Sequence, residues 1–86
     1  MANVEIYSTG SCPYCVRARN LLEKKGIKYT EYRVDQRPEL RPEMEKRASG
    51  GTSVPQIFID NRHIGGCDDM YELDFDGELD ALLGLN

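Results

Sequence analysis

The chain predicts an α/β domain: a four-stranded mixed sheet flanked by three helices in the order β-α-β-α-β-β-α. Three observations carry this reading. Short β-rich runs at 4–8, 28–34 and 56–59 alternate with segments of helical period, the pattern of strand–helix–strand units. Asp60-Asn61 is a two-residue hairpin turn between apolar runs, so the last strand pair is antiparallel. Finally, 86 residues with 40% hydrophobic content can bury one modest core and no more.

Each element has its own signal. In 4–8, Val4 and Ile6 share one face and Tyr7 takes the other. A helix over 16–25, with Cys12 at its N-terminus, places Cys15, Ala18 and Leu22 at i, i+3, i+7, with Leu21 beside them. Lys24 and Lys25 suit its last turn, and Gly26 suits a left-handed cap. Residues 28–34 alternate around Tyr29 and Tyr32 as a second strand, and 35–37 turn. Pro38 is placed at the first position of a second helix, whose narrow apolar face is Leu40, Met44 and Ala48, with Arg47 alongside. Ser49-Gly50-Gly51-Thr52 ends it. Gln56-Ile57-Phe58-Ile59 is nearly continuous and apolar, hence a buried strand, and 62–65 is its return strand. Asp68 or Asp69 caps the last helix, Asp69 and Glu72 fitting a capping box, with Met70, Leu73 and Phe75 as its apolar side. Leu79, Leu82 and Leu83 make a short terminal turn that packs or frays. The first β-α-β unit is expected to be right-handed and parallel. Residues 1–86 read as one domain without repeats or linkers.

Composition narrows the function. No run approaches 18 apolar residues, so no membrane span is expected. Met1-Ala2-Asn3-Val4-Glu5 lacks the basic and apolar stretches of a secretory signal, which points to a cytoplasmic, reducing setting. Three cysteines are too few for a disulfide scaffold, and in a reducing compartment a Cys-x-x-Cys pair reads as redox-active or metal-binding. Net charge is −4 but uneven. All 11 Lys and Arg lie at or before Arg62, alongside 8 acids, a net +3; the other 7 acids follow with no Lys or Arg, a net −7. The basic part suits anionic thiol substrates, and the acidic end suits solubility. An acidic chain with no dense basic stripe excludes nucleic acid as the expected partner.

Cys12-Pro13-Tyr14-Cys15 carries the chemistry. It stands where a strand turns into a helix, and the unpaired N–H groups and positive dipole end there favour an anionic sulfur at Cys12. Thiolate is the nucleophile in disulfide exchange. Cys12 at the exposed helix start is the expected attacker; Cys15, one turn in, is the expected resolving thiol. Pro13 supplies a helical φ where no N–H is needed, and Arg17 and Arg19 add positive potential. Gly65-Gly66-Cys67-Asp68 leads into a helix N-terminus, whose amides can hold a carboxylate.

Cys12-Pro13-Tyr14-Cys15, then Ser53-Val54-Pro55 before a buried strand, then Gly65-Gly66-Cys67-Asp68-Asp69 before the last helix, resembles a glutaredoxin of the dithiol type, in order and spacing along essentially the whole chain. The resemblance implies a thioredoxin-like fold and glutathione-dependent reduction of protein disulfides and glutathione mixed disulfides. It implies glutathione as co-substrate, with no tightly bound cofactor and no metal. Disulfide-containing or glutathionylated proteins, ribonucleotide reductase among them, would be partners of a monomer. It implies that Tyr14 lines the glutathione groove and that Val54-Pro55 is cis, its free backbone pairing with the cysteine of the tripeptide. It implies that the Cys67 and Asp68 amides take the γ-glutamyl carboxylate and that the Asp68 side chain takes its ammonium. Where such proteins usually carry a lysine three residues before the first cysteine, this chain has Thr9. Arg41 is the expected substitute for the glycine carboxylate, with Arg37 in reserve. Two rivals stay open at this level: a metal carrier, holding zinc through Cys12, Cys15, His63 and Cys67 or an iron–sulfur cluster shared between two chains, and a thioredoxin-like protein fed by a flavin reductase.

Overall fold

The computed structural model describes residues 2–85. Its elements run β1 (Val4–Ser8), α1 (Pro13–Lys24), β2 (Thr30–Arg33), α2 (Leu40–Arg47), β3 (Gln56–Ile59), β4 (Arg62–Gly65), α3 (Cys67–Phe75) and α4 (Leu79–Leu83). The strands form one mixed sheet in the order β2-β1-β3-β4. β1 pairs parallel with β2 and antiparallel with β3, and β3 pairs antiparallel with β4. The thioredoxin-like architecture expected from the sequence is the one found.

Alternation along β1 and β3 sends side chains to both faces of the sheet, so the chain buries two hydrophobic clusters where its composition predicts a single core. Val4, Ile6, Ile57 and Ile59 meet Ala18 and Leu22 of α1, Met70 of α3, and Leu79 and Leu83 of α4. Tyr7 and Phe58 face the other way, onto Leu40, Met44 and Ala48 around α2. That second face has few apolar residues, and a charge completes it. The Arg47 guanidinium lies 4.0 Å over the Phe58 ring, pairs with Glu5 at 2.9 Å and donates to the Tyr7 hydroxyl at 2.9 Å. The Arg47 hydrogen bond holds the Glu5 carboxyl below its usual range. Three tyrosines each donate to a glutamate: Tyr7 to Glu43 at 2.7 Å, Tyr29 to Glu23 at 2.6 Å and Tyr32 to Glu5 at 3.0 Å. Among the described residues, no buried side-chain nitrogen or oxygen lacks a partner.

Several local expectations are corrected. The second strand starts at Thr30 rather than 28. Pro38 lies two residues before α2, in a turn closed by Leu40 N to Arg37 O at 3.0 Å. The cap of α3 is Gly66, not Asp68 or Asp69, and Glu72 plays no part in it. Asp69 instead reaches back as the third helical residue, and Gly66 N–H donates to its carboxylate at 2.9 Å. Only a glycine fits just upstream: Gly65 has φ 116°, and a Cβ there would collide with that same carboxylate. Phe75 is 92% exposed, because the helix turns it away from the core that Met70 enters. The terminal leucines form a fourth helix, α4, beyond the three expected; Leu79 and Leu83 are fully buried. Lys25 at the end of α1 latches it, pairing with Asp74 and Asp80 at 2.7 Å each.

These positions set opposite tolerances. Leu83→Ala should cost about 2–5 kcal/mol by leaving a cavity, whereas Phe75→Ser should change stability by no more than about 0.5 kcal/mol. Urea unfolding of both variants checks the contrast; equal losses would contradict the burial described.

Candidate active site

The site forms at the end of the sheet where β1 leaves and β3 enters. Cys12 is the N-cap residue of α1, with extended backbone (φ −80°, ψ 116°). Its Sγ accepts from the Cys15 N–H at 3.3 Å, as a capping oxygen does elsewhere. Pro13 occupies the first helical position. α1 has no acidic residue in its first turn to compete for the positive helix end. Cys12 is half-buried, while Cys15 is fully buried under the helix. Burial first, and then the adjacent Cys12 sulfur, push the Cys15 thiol well above its ordinary range; the Thr9 backbone amide opposes this. The pair is therefore asymmetric, with one sulfur reachable and cradled and the other enclosed and protonated.

Facing it is the loop ahead of β3. The Val54–Pro55 peptide bond is cis, as the resemblance implied. The Cys12 Sγ lies 3.7 Å from the Val54 carbonyl oxygen, 42 residues on. Beside Val54 opens a groove of about 370 Å³ lined by Tyr14, Val54, Pro55, Gly66, Cys67 and Asp68, with Gln56 and His63 in its wall. Tyr14 is 53% exposed, and its ring carries the Arg17 guanidinium 6.0 Å from the centroid. The groove's far wall is the first turn of α3, where Cys67 and Asp68 have N–H groups that no helical carbonyl can reach. Cys67 itself is buried, and burial raises its thiol.

The structure thus gathers Tyr14, Val54, Pro55, Cys67 and Asp68 around one groove, with Cys12 against its Val54 wall and Cys15 behind Cys12. Thr9 and Arg41 do not line it. Thr9 supplies backbone beside Cys15, and Arg41 Nη1 donates to the Thr52 carbonyl at 2.9 Å, just upstream of the loop. Arg37 points to Glu39 at 3.1 Å. Arg19, expected to add positive potential near Cys12, pairs with Glu31 at 2.7 Å. Among the described residues, no three His, Cys, Asp or Glu side chains gather as a metal site. His63, a zinc candidate in the sequence, bonds Gln56 at 2.6 Å instead. Sequence reasoning missed Ser53, Gln56 and His63 as parts of the groove; the available signal was a polar Gln56 heading an otherwise apolar buried strand.

A dithiol at a strand-to-helix turn, faced by a cis-proline loop on a thioredoxin-like sheet, defines a thiol–disulfide oxidoreductase. The comparisons with known proteins say which kind. The glutaredoxin family model matches residues 4–64. The chain is 59% identical to glutaredoxin 3 of Escherichia coli over 83 residues, covering 96% of this chain and 99% of that protein. The solution structure of a glutaredoxin from Brucella melitensis is 49% identical, with a TM-score of 0.84 over 99% of this chain and 91% of its own. The crystal structure of a buckwheat glutaredoxin–glutathione complex is 30% identical, with a TM-score of 0.88 over 96% of this chain and 77% of its own. The chain belongs to the glutaredoxin family.

The asymmetry of the thiols can be read chemically. Iodoacetamide at neutral pH should add one group to the folded, reduced protein, at Cys12, and three after unfolding. Intact-mass measurement with peptide mapping checks this, and rapid native labelling of Cys15 or Cys67 would contradict it.

Proposed function

We propose that this glutaredoxin is a glutathione-dependent oxidoreductase of protein disulfides and glutathione mixed disulfides, with Cys12 as nucleophile and Cys15 as resolving thiol. The observation that carries this is the placement of the Cys12 sulfur 3.7 Å from the Val54 carbonyl, at a groove whose opposite wall is a helix N-terminus. A thiol tripeptide has the shape and charge for that space. Its central cysteine reaches Cys12 while its backbone pairs with Val54 beside Pro55. Its γ-glutamyl carboxylate reaches the Cys67 and Asp68 amides, and its ammonium reaches the Asp68 carboxylate. Tyr14 closes one side.

In this scheme the Cys12 thiolate attacks the glutathione sulfur of a mixed disulfide. The S–S bond breaks, the substrate leaves as a thiolate that takes a proton, and a Cys12–glutathione disulfide forms. A second glutathione thiolate attacks that disulfide, releasing oxidised glutathione and restoring the Cys12 thiolate. With a protein disulfide, Cys12 attacks one sulfur, and Cys15, giving up its proton, attacks Cys12. The substrate leaves as a dithiol, the Cys12–Cys15 disulfide remains, and two glutathiones reduce it. Burial and the adjacent Cys12 sulfur both keep Cys15 protonated, and bonding a sulfur to Cys12 removes the second cause, which separates the two roles. Disulfide-containing and glutathionylated proteins are the partners of this reading, and the reducing cytoplasm is its setting, with the protein acting as a monomer. A glutathione complex of the buckwheat relative supports the groove assignment.

Cys12→Ser should abolish turnover of a glutathionylated peptide with glutathione. Cys15→Ser should keep that turnover within about threefold while losing most reduction of a protein disulfide, since only the second route needs a resolving thiol. Activity surviving in Cys12→Ser would sink the assignment. We also place Arg41 and Thr9 at the glycine end of the tripeptide. An exposed carboxylate contact contributes on the order of 1 kcal/mol or less. Arg41→Ala should therefore weaken, and Thr9→Lys tighten, the binding of S-methylglutathione by up to about fivefold in calorimetric titration. Unchanged affinity in both would remove these two residues from the site.

A further inference from the structure

Gln56 is a polar residue at the head of a strand that is otherwise apolar. It is 5% exposed, and with Ser8 it makes up the buried polar residues of the described chain. The Ser8 hydroxyl bonds Glu31 at 2.6 Å. The Gln56 amide turns instead to the groove loop. Its Nε2 donates to the Ser53 carbonyl at 3.0 Å and reaches the Ser53 hydroxyl at 3.5 Å. Its Oε1 lies 2.6 Å from His63 Nε2. A carboxamide oxygen only accepts, so His63 Nε2 carries the proton in that bond. The imidazole is itself held, stacked on Phe58 with centroids 5.1 Å apart. Gly51 leaves room for the amide, since a Cβ there would stand 3.0 Å from Nε2.

The Ser53 carbonyl and the Val54 N–H belong to one planar peptide unit and point in opposite directions. A hydrogen bond that fixes the carbonyl therefore fixes where the N–H aims. The Val54 carbonyl, 3.7 Å from the Cys12 sulfur, belongs to the next unit, with Pro55. The two halves of the Val54 backbone are thus set by different means. We propose that Gln56, oriented by His63, is a positioning residue for glutathione: its amide holds the Ser53–Val54 peptide plane so that the Val54 N–H faces the tripeptide. This rests on the glutathione reading above. Gln56 touches neither sulfur, so it acts on recognition and not on the reactivity of Cys12.

The test is steady-state turnover of a glutathionylated peptide with Gln56→Leu, Gln56→Glu, His63→Leu and His63→Gln. Gln56→Leu removes the bond, and Gln56→Glu sets a carboxylate oxygen against the Ser53 carbonyl. Both should raise KM by about three- to tenfold, with kcat and the iodoacetamide rate at Cys12 within about twofold of wild type. His63→Leu should follow them, and His63→Gln, which keeps a donor, should restore wild-type KM. Unchanged KM in both Gln56 variants overturns the proposal. So does a rise of KM accompanied by a comparable fall of kcat and a changed alkylation rate, which marks general loosening. If Gln56→Leu does not fold, Gln56→Glu and His63→Leu decide. Wild-type protein without saturable dependence on glutathione would overturn the functional reading, and this inference with it. A failure confined to the variants overturns this inference alone.

Discussion

The register of β1 against β3 is the constraint on which the rest depends. Tyr7 pairs with Gln56 and Val4 with Ile59, antiparallel. The end of β1 and the start of β3 are therefore neighbours at one end of the sheet's two central strands, and the loops they carry must meet. One loop brings Cys12 and the other brings Val54-Pro55. A slip of one residue would exchange the faces of Tyr7 and Phe58 with those of Ile6 and Ile57, emptying both cores. A slip of two would keep the faces but displace Val54 by about 7 Å from the sulfur. The hydrophobic alternation that folds the sheet thus also sets the reach between thiol and loop.

The two faces of that sheet are closed by different physics. Toward α1, α3 and α4 the core is aliphatic, built from Ile, Leu, Met and Val. Toward α2 it is aromatic and thin, and the Arg47 guanidinium over Phe58, paired with Glu5, serves as its lid. A partly buried pair of this kind adds little net stability over an apolar substitute, but removing one partner leaves the other without its counter-charge. The charged lid is also directional. The Arg47 fork fits one arrangement of Glu5 and Tyr7, so it fixes how α2 sits on the strands as well as that it sits there.

Much of this was legible in the sequence, for identifiable reasons. The period of Cys15, Ala18, Leu21 and Leu22 marked the buried side of α1, and Gly26, with φ 72°, marked its end. Asp60-Asn61, with φ 51° and 66°, forms the hairpin turn its residues announced. What failed were choices among local alternatives of similar energy. Two aspartates and a glycine compete to start α3, and only the packing of Gly65 against Asp69 decides for Gly66. Phe75 fits a helical stripe by spacing, yet the helix ends before that stripe meets a partner. The cysteine pair and the cis loop were readable because short motifs encode them. The clasp of Gln56, Ser53 and His63 was not, because it joins residues whose pairing depends on the β3–β4 hairpin register.

The tyrosines that line the sheet give the fold an alkaline limit. The chain has five tyrosines and no tryptophan, so phenols dominate its near-ultraviolet absorption. Burial first, and then a neighbouring glutamate, push Tyr7 and Tyr29 up to about 12, and Tyr32 moves the same way. A phenol raised in the folded state contributes stability that is whole below its unfolded value near about 10 and is lost as pH climbs through the folded values. Above that range, the glutamates that hold these rings at neutral pH would face phenolates across less than 3.1 Å. Base thus turns three hydrogen-bond clasps into three repulsions, and the near-ultraviolet change of ionising tyrosine would report that loss.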